Sequence, residues 1–337
     1  MKKVASVVVA VAALSAALLV AGCGEKEDEL STKAPERFSL LLDFFPNADH
    51  AGIYAAQSAG LFEDVGLDVK IRQPADPDAP IKQVAAGKVD VAIAYEPTVL
   101  LARDRGQPVV SVGALVQKPL TSIISLPRAG IRGPEDLAGK TIGTAGIDYQ
   151  DAFLRTILRE AGVNRDSIKT RNVGFALNPA LLTRKVDATL GSFWNYEGTE
   201  LELKQRDPQI IRVNNAGVPT YNELVFVVNE KTLAEEPGKI RAFLGAVGRG
   251  TRELRADPSK GIEGLLKANK DLDPKLQRAV VRVTLPLFFP PAGKPYGYQD
   301  PGEWKRFAAW MRDNELLDEP PDAARAFSNE LLPARGP

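Results

Sequence analysis

The sequence has 337 residues, and its 43 Lys and Arg residues balance 43 Asp and Glu residues, so the formal net charge is 0. This balance excludes the strongly basic surface with which proteins bind nucleic acid. Beyond the N-terminal segment about 300 residues remain, which are enough for two lobes that each bury a hydrophobic core.

The N-terminal segment predicts export. Lys2 and Lys3 form a short basic start, and residues 4–20 are almost wholly small and apolar. Residues 19–23 (LVAGC) resemble a bacterial lipobox, in which cleavage leaves a lipidated cysteine as the new N-terminus. The alternative is a transmembrane anchor, but about 17 apolar residues are at the short limit of a span. We therefore predict a signal peptide in residues 1–22 and a lipid on Cys23, which places the protein on the extracytoplasmic face of the cell membrane.

The next segment is polar and highly charged. Residues 25–35 (EKEDELSTKAP) lack a hydrophobic face, and we predict that residues 23–36 form a flexible tether. The folded body is expected to begin near Phe38.

Short β-rich runs then alternate with helical stretches. The predicted strands are residues 38–42, 67–71, 89–93 and 109–115, and the predicted helices between them are residues 51–58, 79–86 and 98–105. This rhythm predicts an α/β fold with a mainly parallel sheet that is covered by helices on both faces.

A second α/β unit follows. Its predicted strands are residues 140–143, 169–173, 188–191, 210–213 and 223–228, with a helix at residues 151–161. From Lys231 onward the pattern is mostly helical, and Pro258 and Pro274 stand at first-turn positions. Crossovers near residues 122–126 and 223–228 predict two α/β lobes with a ligand cleft between them. Lobe 1 is expected to comprise residues 37–123 and 227–337, and lobe 2 residues 124–226.

The aromatic, proline-rich segment at residues 286–301 is predicted to be a loop. It either covers the rim of a pocket or packs on the surface, and the sequence leaves both interpretations open.

The residues that catalytic centres need are scarce. His50 is the only histidine and Cys23 the only cysteine, so a Ser-His or Cys-His nucleophile system has little support. Zinc-ligand spacing and a Walker loop are both absent from the sequence. We therefore predict a binding protein that has no catalytic residue, metal or cofactor.

Four stretches with ligand-binding character follow predicted strands. They are residues 43–50, 95–96, 144–149 and 194–197, and two belong to each predicted lobe. In open α/β sheets, ligands bind beyond the carboxyl ends of strands. Residues 143–146 (GTAG) are equally compatible with a plain turn. Aromatic faces together with Glu197 would suit a flat heterocycle.

Several of these motifs resemble the thiamine-pyrimidine-synthase-like (NMT1/THI5-like) family. The resemblance runs from LLLDFFPNADH through GKVDVAIAYEP, LAGKTIGTAG and VDATLGSFWNYEG to PTYNELVFVV. It implies the type II periplasmic-binding-protein fold. The family has two branches: a synthase that makes the thiamine pyrimidine with pyridoxal phosphate, and the solute receptors of ABC importers. The positions of the synthase's pyridoxal lysine and donor histidine are Ala94 and Thr98 here, so the resemblance favours a receptor.

The resemblance also implies a set of ligand-binding residues drawn from both lobes: Asp43, Phe44, His50, Tyr95, Gly146, Tyr149, Trp194, Asn195, Glu197 and Tyr221. Phe44 would stack on the ligand ring where relatives often carry Trp, and Glu197 would accept a hydrogen bond from an aminopyrimidine edge. Phe45 is compatible with either the core or the pocket.

The expected function is therefore that of a lipid-anchored receptor, monomeric, which binds a thiamine pyrimidine precursor of the formylaminopyrimidine type and docks on ABC permease subunits. Riboflavin, or a sulfonate or other solute, is the alternative ligand. A pyridoxal-phosphate-dependent synthase is the alternative of a different class, and the absent lysine and histidine disfavour it.

Overall fold

The computed structural model describes residues 34–318 and 322–334. The predicted signal peptide, Cys23 and all but the last three residues of the predicted tether lie outside the described residues. The first strand begins at Glu36, which is two residues before the expected start of the folded body and inside the range predicted for the tether.

Ten strands form two sheets of five. In chain order they are β1 (Glu36–Leu41), β2 (Leu67–Arg72), β3 (Val91–Ala94), β4 (Val109–Val116), β5 (Thr121–Ser125), β6 (Thr141–Thr144), β7 (Lys169–Asn172), β8 (Ala188–Phe193), β9 (Gln209–Arg212) and β10 (Leu224–Asn229). The strand orders are β2-β1-β3-β10-β4 and β7-β6-β8-β5-β9.

Twelve α-helices accompany these sheets in the described part of the chain. They are α1 (Ala51–Ser58), α2 (Ala79–Ala85), α3 (Glu96–Asp104), α4 (Tyr149–Glu160), α5 (Leu177–Leu182), α6 (Thr199–Leu203), α7 (Glu230–Glu235), α8 (Pro237–Ala256), α9 (Pro258–Ala268), α10 (Pro274–Thr284), α11 (Pro301–Asp313) and α12 (Ala323–Ala326). Among these residues, none of the helices combines the length and the apolar character that a membrane span requires.

Both sheets are mixed rather than mainly parallel. In the first sheet β1 runs parallel to β2 and β3, whereas β10 is antiparallel to both β3 and β4. In the second sheet β6 runs parallel to β7 and β8, whereas β5 is antiparallel to both β8 and β9. The antiparallel strands β5 and β10 are the two that the chain enters directly from the other sheet, and for this reason the local βα rhythm did not predict their direction.

The sheets define two lobes, which we call lobe 1 (the first sheet and its helices) and lobe 2 (the second sheet and its helices). The chain passes from β4 into β5 through residues 117–120 and returns from β9 into β10 through residues 213–223. The crossovers that the sequence suggested, residues 122–126 and 223–228, coincide largely with β5 and β10 themselves. The strongly apolar character of those two strands made them visible, while the polar connections before them gave little signal.

The long helix α8 seals one face of the first sheet. Phe243 contacts Phe38, Phe62 and Phe226, with ring centroids 5.2, 5.7 and 5.4 Å apart. Helix α8 also lies very close to α1, because a side chain at Gly250 would come within 2.5 Å of the Gly52 carbonyl oxygen. Helix α8 therefore packs on lobe 1, and the assignment of the whole segment 227–337 to that lobe stays a prediction.

The aromatic segment at residues 286–301 packs on lobe 1. The backbone N–H of Ala114 donates to the Gly297 carbonyl oxygen at 2.8 Å, and the buried ring of Tyr296 lies against Gly248. Of the two interpretations of this segment, packing is the one that the structure favours, since none of its residues lines the cavity between the lobes.

Candidate functional site

A cavity lies between the two lobes, next to the carboxyl ends of strands from both sheets. Lobe 1 lines it with Asp43, Phe44, Asn47, Asp49, Pro77 and Tyr95. The aromatic and polar side chains from lobe 2 are Tyr149, Gln150, Phe175, Phe193, Tyr196 and Glu197. Among the described residues that line this cavity there is no Lys, Arg or His, so the wall combines aromatic rings with carboxyl groups.

The chain after β1 forms a corner that is fixed by reciprocal hydrogen bonds. The side chain of Asn47 accepts from the backbone N–H of Asp49 at 2.8 Å, and Nδ1 of His50 accepts from the backbone N–H of Asn47 at 3.3 Å. Such a capping box satisfies N–H groups that a helical turn leaves unpaired. The corner therefore holds Asp43, Asn47 and Asp49 at the end of β1 in one geometry.

Asp43 is buried at the centre of this corner. Its Oδ1 accepts a hydrogen bond from Nε2 of His50 at 2.9 Å, and its Oδ2 accepts one from the Tyr95 hydroxyl at 3.1 Å. Burial, followed by the charge of Asp43, raises the pKa of Tyr95 well above its usual value. Tyr95 thus stays protonated and remains a donor to Asp43 at every physiological pH.

Asp49 links the cavity to the opposite lobe. Its Oδ1 accepts from Nδ2 of Asn195 at 2.6 Å, and the same nitrogen lies 2.7 Å from Oγ1 of Thr284. The pKa of Asp49 is raised to about 7, mainly by burial; His50 and the hydrogen bond from Asn195 act in the opposite direction, and the carboxylates of Asp43 and Glu197 add to the rise. Removal from water penalises the charged form of a carboxyl group.

Glu197 is presented by a turn of π-helix, Trp194–Gly198, that follows β8 directly. Its Oε2 accepts from the backbone N–H of Phe193 at 2.8 Å, which fixes the carboxyl group against the cavity wall. Burial raises the pKa of Glu197 to about 7. Single π-helical turns occur often at functional sites because they redirect a side chain without ending the helix.

Aromatic rings meet across the cavity and at its mouth. Tyr95 of lobe 1 lies 6.1 Å from Tyr149 and 6.5 Å from Phe193 of lobe 2, between ring centroids. Near the mouth, Phe44 of lobe 1 meets Phe175 of lobe 2 edge to face at 4.7 Å. The two lobes are therefore in contact, and the cavity is in a closed arrangement.

Within residues 34–318 and 322–334, no group of three or more His, Cys, Asp or Glu side chains is arranged to hold a metal ion.

Comparison with known proteins connects this site to a family. The family described as "NMT1/THI5 like" matches residues 47–261, which is more than half of the chain. The chain belongs to the NMT1/THI5-like family.

Two curated relatives in this comparison are more than 30% identical to the chain. A "Formylaminopyrimidine-binding protein" of Halalkalibacterium halodurans is 32% identical over 320 residues, which cover 94% of this chain and 96% of the relative. A "Putative thiamine biosynthesis protein" of Haemophilus influenzae is 34% identical over 289 residues, covering 86% of this chain and 90% of the relative.

Among solved structures, the alkanesulfonate-binding protein SsuA of Xanthomonas axonopodis pv. citri, bound to MOPS, is similar with a TM-score of 0.69. It is 18% identical, and the match covers 88% of this chain and 99% of SsuA. At this identity the likeness establishes the fold. The expected periplasmic-binding-protein architecture, with two α/β lobes and a cleft, is confirmed.

The structure places five of the ten site residues suggested by the family resemblance on the cavity wall: Asp43, Phe44, Tyr95, Tyr149 and Glu197. These residues follow β1, β3, β6 and β8, so the carboxyl ends of strands supply them as expected for such sheets. Phe45, beside them, is 43% exposed and packs on Phe175 at the mouth.

The other five lie behind or beside the wall. His50 and Asn195 are fully buried and hydrogen-bond to the wall residues Asp43 and Asp49. Cζ of Arg212 lies 3.9 Å from the centroid of the Trp194 ring. The Nε1–H of Trp194 donates to the Pro119 carbonyl oxygen.

Tyr221 is buried among aromatic rings such as Phe307, and its hydroxyl donates to Glu223 at 3.0 Å. Gly146 has a φ of +81°, and its neighbours Ala145 and Ile147 line the cavity instead. The Ala145 N–H donates to Oε1 of Gln150 at 2.9 Å, so this turn satisfies one of the N–H groups that a ligand would have used.

Sequence reasoning missed Asp49, Phe175, Phe193 and Tyr196. Asp49 lies within the stretch 43–50, but it is not among the ten residues that the family resemblance implies. Phe193 and Tyr196 stood within GSFWNYEG, where the π-helical turn changes which side chains face the cavity. Phe175 follows the exposed strand β7, and no apolar pattern marks it.

Proposed function

We propose that this chain is the extracytoplasmic solute receptor of an ABC importer, and that it captures a thiamine pyrimidine precursor of the formylaminopyrimidine type. The observation that carries the proposal is the closed cavity between two lobes, lined by aromatic rings and buried carboxyl groups. Pockets of this kind hold flat ligands through apolar contact and orient them with a few polar groups. The name of the 32% identical formylaminopyrimidine-binding relative supports the ligand class.

We propose that aromatic side chains stack on the ligand ring and that a carboxyl group recognises the ring's edge. Tyr95, Phe193 and Tyr196 offer ring faces and edges to a flat heterocycle. The carboxyl group of Glu197 accepts a hydrogen bond from the ligand's amino group. The π-helical turn and the Phe193 N–H hold this carboxyl group in place for that contact. His50 and Asn195 contribute by holding Asp43 and Asp49 in place.

Capture takes place by closure of the two lobes. Only the closed conformation contacts the ligand from both sides. Ligand binding therefore shifts the equilibrium between open and closed conformations toward the closed one. We propose that the closed receptor, a monomer, then docks its lobes on the permease subunits. The energy for transport comes from an ATPase on another chain, and this chain itself performs no catalysis.

A lipid on Cys23 completes the proposal, since the LVAGC stretch suits lipidation after export. Incorporation of radiolabelled palmitate into the wild type but not into the Cys23→Ser variant tests it. Equal labelling of the two proteins would contradict the anchor.

The ligand test is a thermal-shift screen followed by calorimetry on the purified protein. A ligand that binds only the folded state raises the melting temperature by mass action, by an amount set by its concentration relative to Kd. We expect aminopyrimidines to raise it most, with riboflavin, thiamine and aliphatic sulfonates as comparisons. Sulfonates meet a wall without Lys or Arg among its described residues, whereas anion sites are usually lined by such side chains or by amides.

Three outcomes would overturn the proposal. A shift with sulfonates alone would replace the heterocycle by an anion, and a shift with riboflavin alone would replace the pyrimidine by a flavin. An absorbance change on adding pyridoxal phosphate would revive the synthase alternative, although Ala94 and Thr98 stand where the synthase branch has its lysine and histidine.

A further inference from the structure

The cavity wall carries an excess of acidic groups. Asp43, Asp49 and Glu197 all line it, and no Lys or Arg is among the described residues that do so. Two of these groups are held by neutral donors, since Asp43 receives the Tyr95 hydroxyl and Glu197 receives the Phe193 N–H. The carboxyl groups of this cavity therefore face no Lys or Arg side chain across it, among the residues that the structure describes.

His50 is hydrogen-bonded to Asp43 and not to Asp49 or Glu197. Its Nδ1 accepts a hydrogen bond from the Asn47 backbone N–H, and its Nε2 donates to Asp43. Both ring nitrogens are therefore already used within the corner, and His50 orients the Asp43 carboxylate.

Asp49 has an oxygen that the protein does not use. Oδ1 accepts from Asn195, whereas Oδ2 receives no hydrogen bond from any described residue. The Glu197 carboxyl is assigned to the ligand's amino group in the proposed function, which leaves Oδ2 of Asp49 for a second donor. Asp49 is 1% exposed and lines the cavity. Both oxygens of Asp43, in contrast, are already occupied by His50 and Tyr95. Because Asp49 lines the cavity, a donor on the ligand can pair with Oδ2 and replace the hydrogen bonds that this oxygen loses when water leaves the cavity.

We propose that the cavity selects a ligand that carries a cationic nitrogen, and that Oδ2 of Asp49 pairs with this nitrogen. The inference rests on the proposed function and narrows it. The cationic nitrogen is either a protonated ring nitrogen of the aminopyrimidine, which a formylaminopyrimidine retains, or a free side-chain amine, which would make the deformylated aminopyrimidine the preferred ligand.

The burial that raises the pKa of Asp49 to about 7 agrees with this role. An uncompensated carboxylate takes up a proton more readily, and a bound cation would favour its ionised form again. Charge-assisted hydrogen bonds of this type are about twice as strong as neutral ones.

The experiment compares two aminopyrimidines that differ at one position, one with an aminomethyl group and one with a hydroxymethyl group. Their affinities are measured by calorimetry at about pH 7.5, and the ultraviolet spectrum of the bound hydroxymethyl compound reports whether its ring is protonated. The proteins are the wild type, Asp49→Asn and, as a control for an exposed carboxylate of lobe 2, Asp166→Asn. Asparagine keeps the shape of the side chain and an oxygen for Asn195.

If the amine is recognised, the wild type binds the aminomethyl compound at least about 10-fold more tightly than the hydroxymethyl compound. In Asp49→Asn this preference falls to about 3-fold or less. If the ring is recognised, the bound hydroxymethyl compound has the spectrum of a protonated ring in the wild type but not in Asp49→Asn. Asp166→Asn behaves as the wild type in both cases.

Binding of both compounds without preference and with a neutral ring spectrum would overturn this inference and leave the proposed function standing. An equal loss of affinity for both compounds in Asp49→Asn, with an unchanged ring spectrum, would do the same. Binding of neither aminopyrimidine would overturn the proposed function as well. The wild-type comparison keeps the test valid even if Asp49→Asn folds poorly.

Discussion

At the scale of single residues, the clearest lesson concerns His50. As the chain's only histidine it appeared from the sequence to face a ligand, yet it is fully buried and holds Asp43 and the backbone of Asn47. A corner between a strand and a short helical turn needs an acceptor for the backbone N–H at its start, and the imidazole supplies it. The sequence identified the corner correctly, but the direction of each side chain depends on backbone angles that it does not reveal.

Glu197 gives the prediction that belongs to this scale. We expect Glu197→Gln to weaken binding of an aminopyrimidine by about 10- to 100-fold at about pH 8, because the amide presents a weaker acceptor and an unwanted donor to the ligand. Stability should change by less than about 1 kcal/mol, since the amide oxygen can still accept from the Phe193 N–H. Calorimetry and urea unfolding measure the two effects.

The matched control is Glu202→Gln, because Glu202 is exposed on the adjacent helix α6. It should leave both affinity and stability unchanged. An unaltered affinity in Glu197→Gln would remove Glu197 from the ligand-binding residues while leaving the fold of the turn intact.

At the scale of elements, the sequence predicted local structure better than pairing. Helix α1 has the bounds that the sequence suggested, residues 51–58, and most strands differ by only one to three residues. The direction of β5 and β10 was not predictable, because it follows from where the chain crosses between lobes. The π-helical turn after β8 also escaped prediction, and it decides which residues of GSFWNYEG reach the cavity.

The two crossovers are joined by one buried side chain. The carboxyl group of Glu223, at the end of the second crossover, accepts from the backbone N–H groups of Leu120 and Thr121 at 2.6 and 2.8 Å. It also accepts from the Thr121 hydroxyl at 2.8 Å and the Tyr221 hydroxyl at 3.0 Å. Since all chain connections between the lobes in the described residues run through these crossovers, Glu223 holds the two connections together.

We expect Glu223→Gln to lower the free energy of unfolding by about 1–3 kcal/mol, because the amide NH₂ would face donors and leave some of them unpaired. Urea unfolding at about pH 8 measures the loss. Glu235→Gln, on the exposed side of α7, is the control and should have no effect. A Glu223→Gln protein as stable as the control would show that the crossovers do not depend on this carboxyl group.

At the scale of the whole molecule, acidic groups are concentrated where the lobes meet. Burial raises the pKa values of Asp49, Glu197 and Glu223 to about 7, and that of Glu96 to about 8. Glu96 accepts from the backbone and side chain of Asn222, in the second crossover. The sequence could not reveal this concentration, because the four residues are distant along the chain and only the two-lobe fold brings them to one region.

These shifts make stability depend on pH in a definite direction. A carboxyl group whose pKa is higher in the folded state than in the unfolded state binds more protons when folded. Its contribution to the free energy of unfolding is therefore complete below its unfolded pKa and is lost as pH rises through its folded pKa. The unfolded values are 3.8 for Asp and 4.5 for Glu, which sets a window from there to about 8. Asp136 and Asp257, whose pKa values are lowered, change the stability only below this pH window. Lys82 and Lys239, whose pKa values are raised, change it only above the window.

We therefore expect the ligand-free protein to be more stable at about pH 5.5 than at about pH 8, with a slope of up to about 1.4 kcal/mol per pH unit for each of the four groups. Urea unfolding across this range measures the slope. Glu96→Gln should reduce it, because glutamine carries no proton that could be released as pH rises. A saturating cationic ligand should reduce it too, since the ligand favours the ionised form of Asp49 and stabilises the protein more at high pH than at low pH. A stability that stayed constant or rose from pH 5.5 to 8 in the absence of ligand would mean that these carboxyl groups are hydrated in the folded protein, and that the lobes are not closed around them in solution.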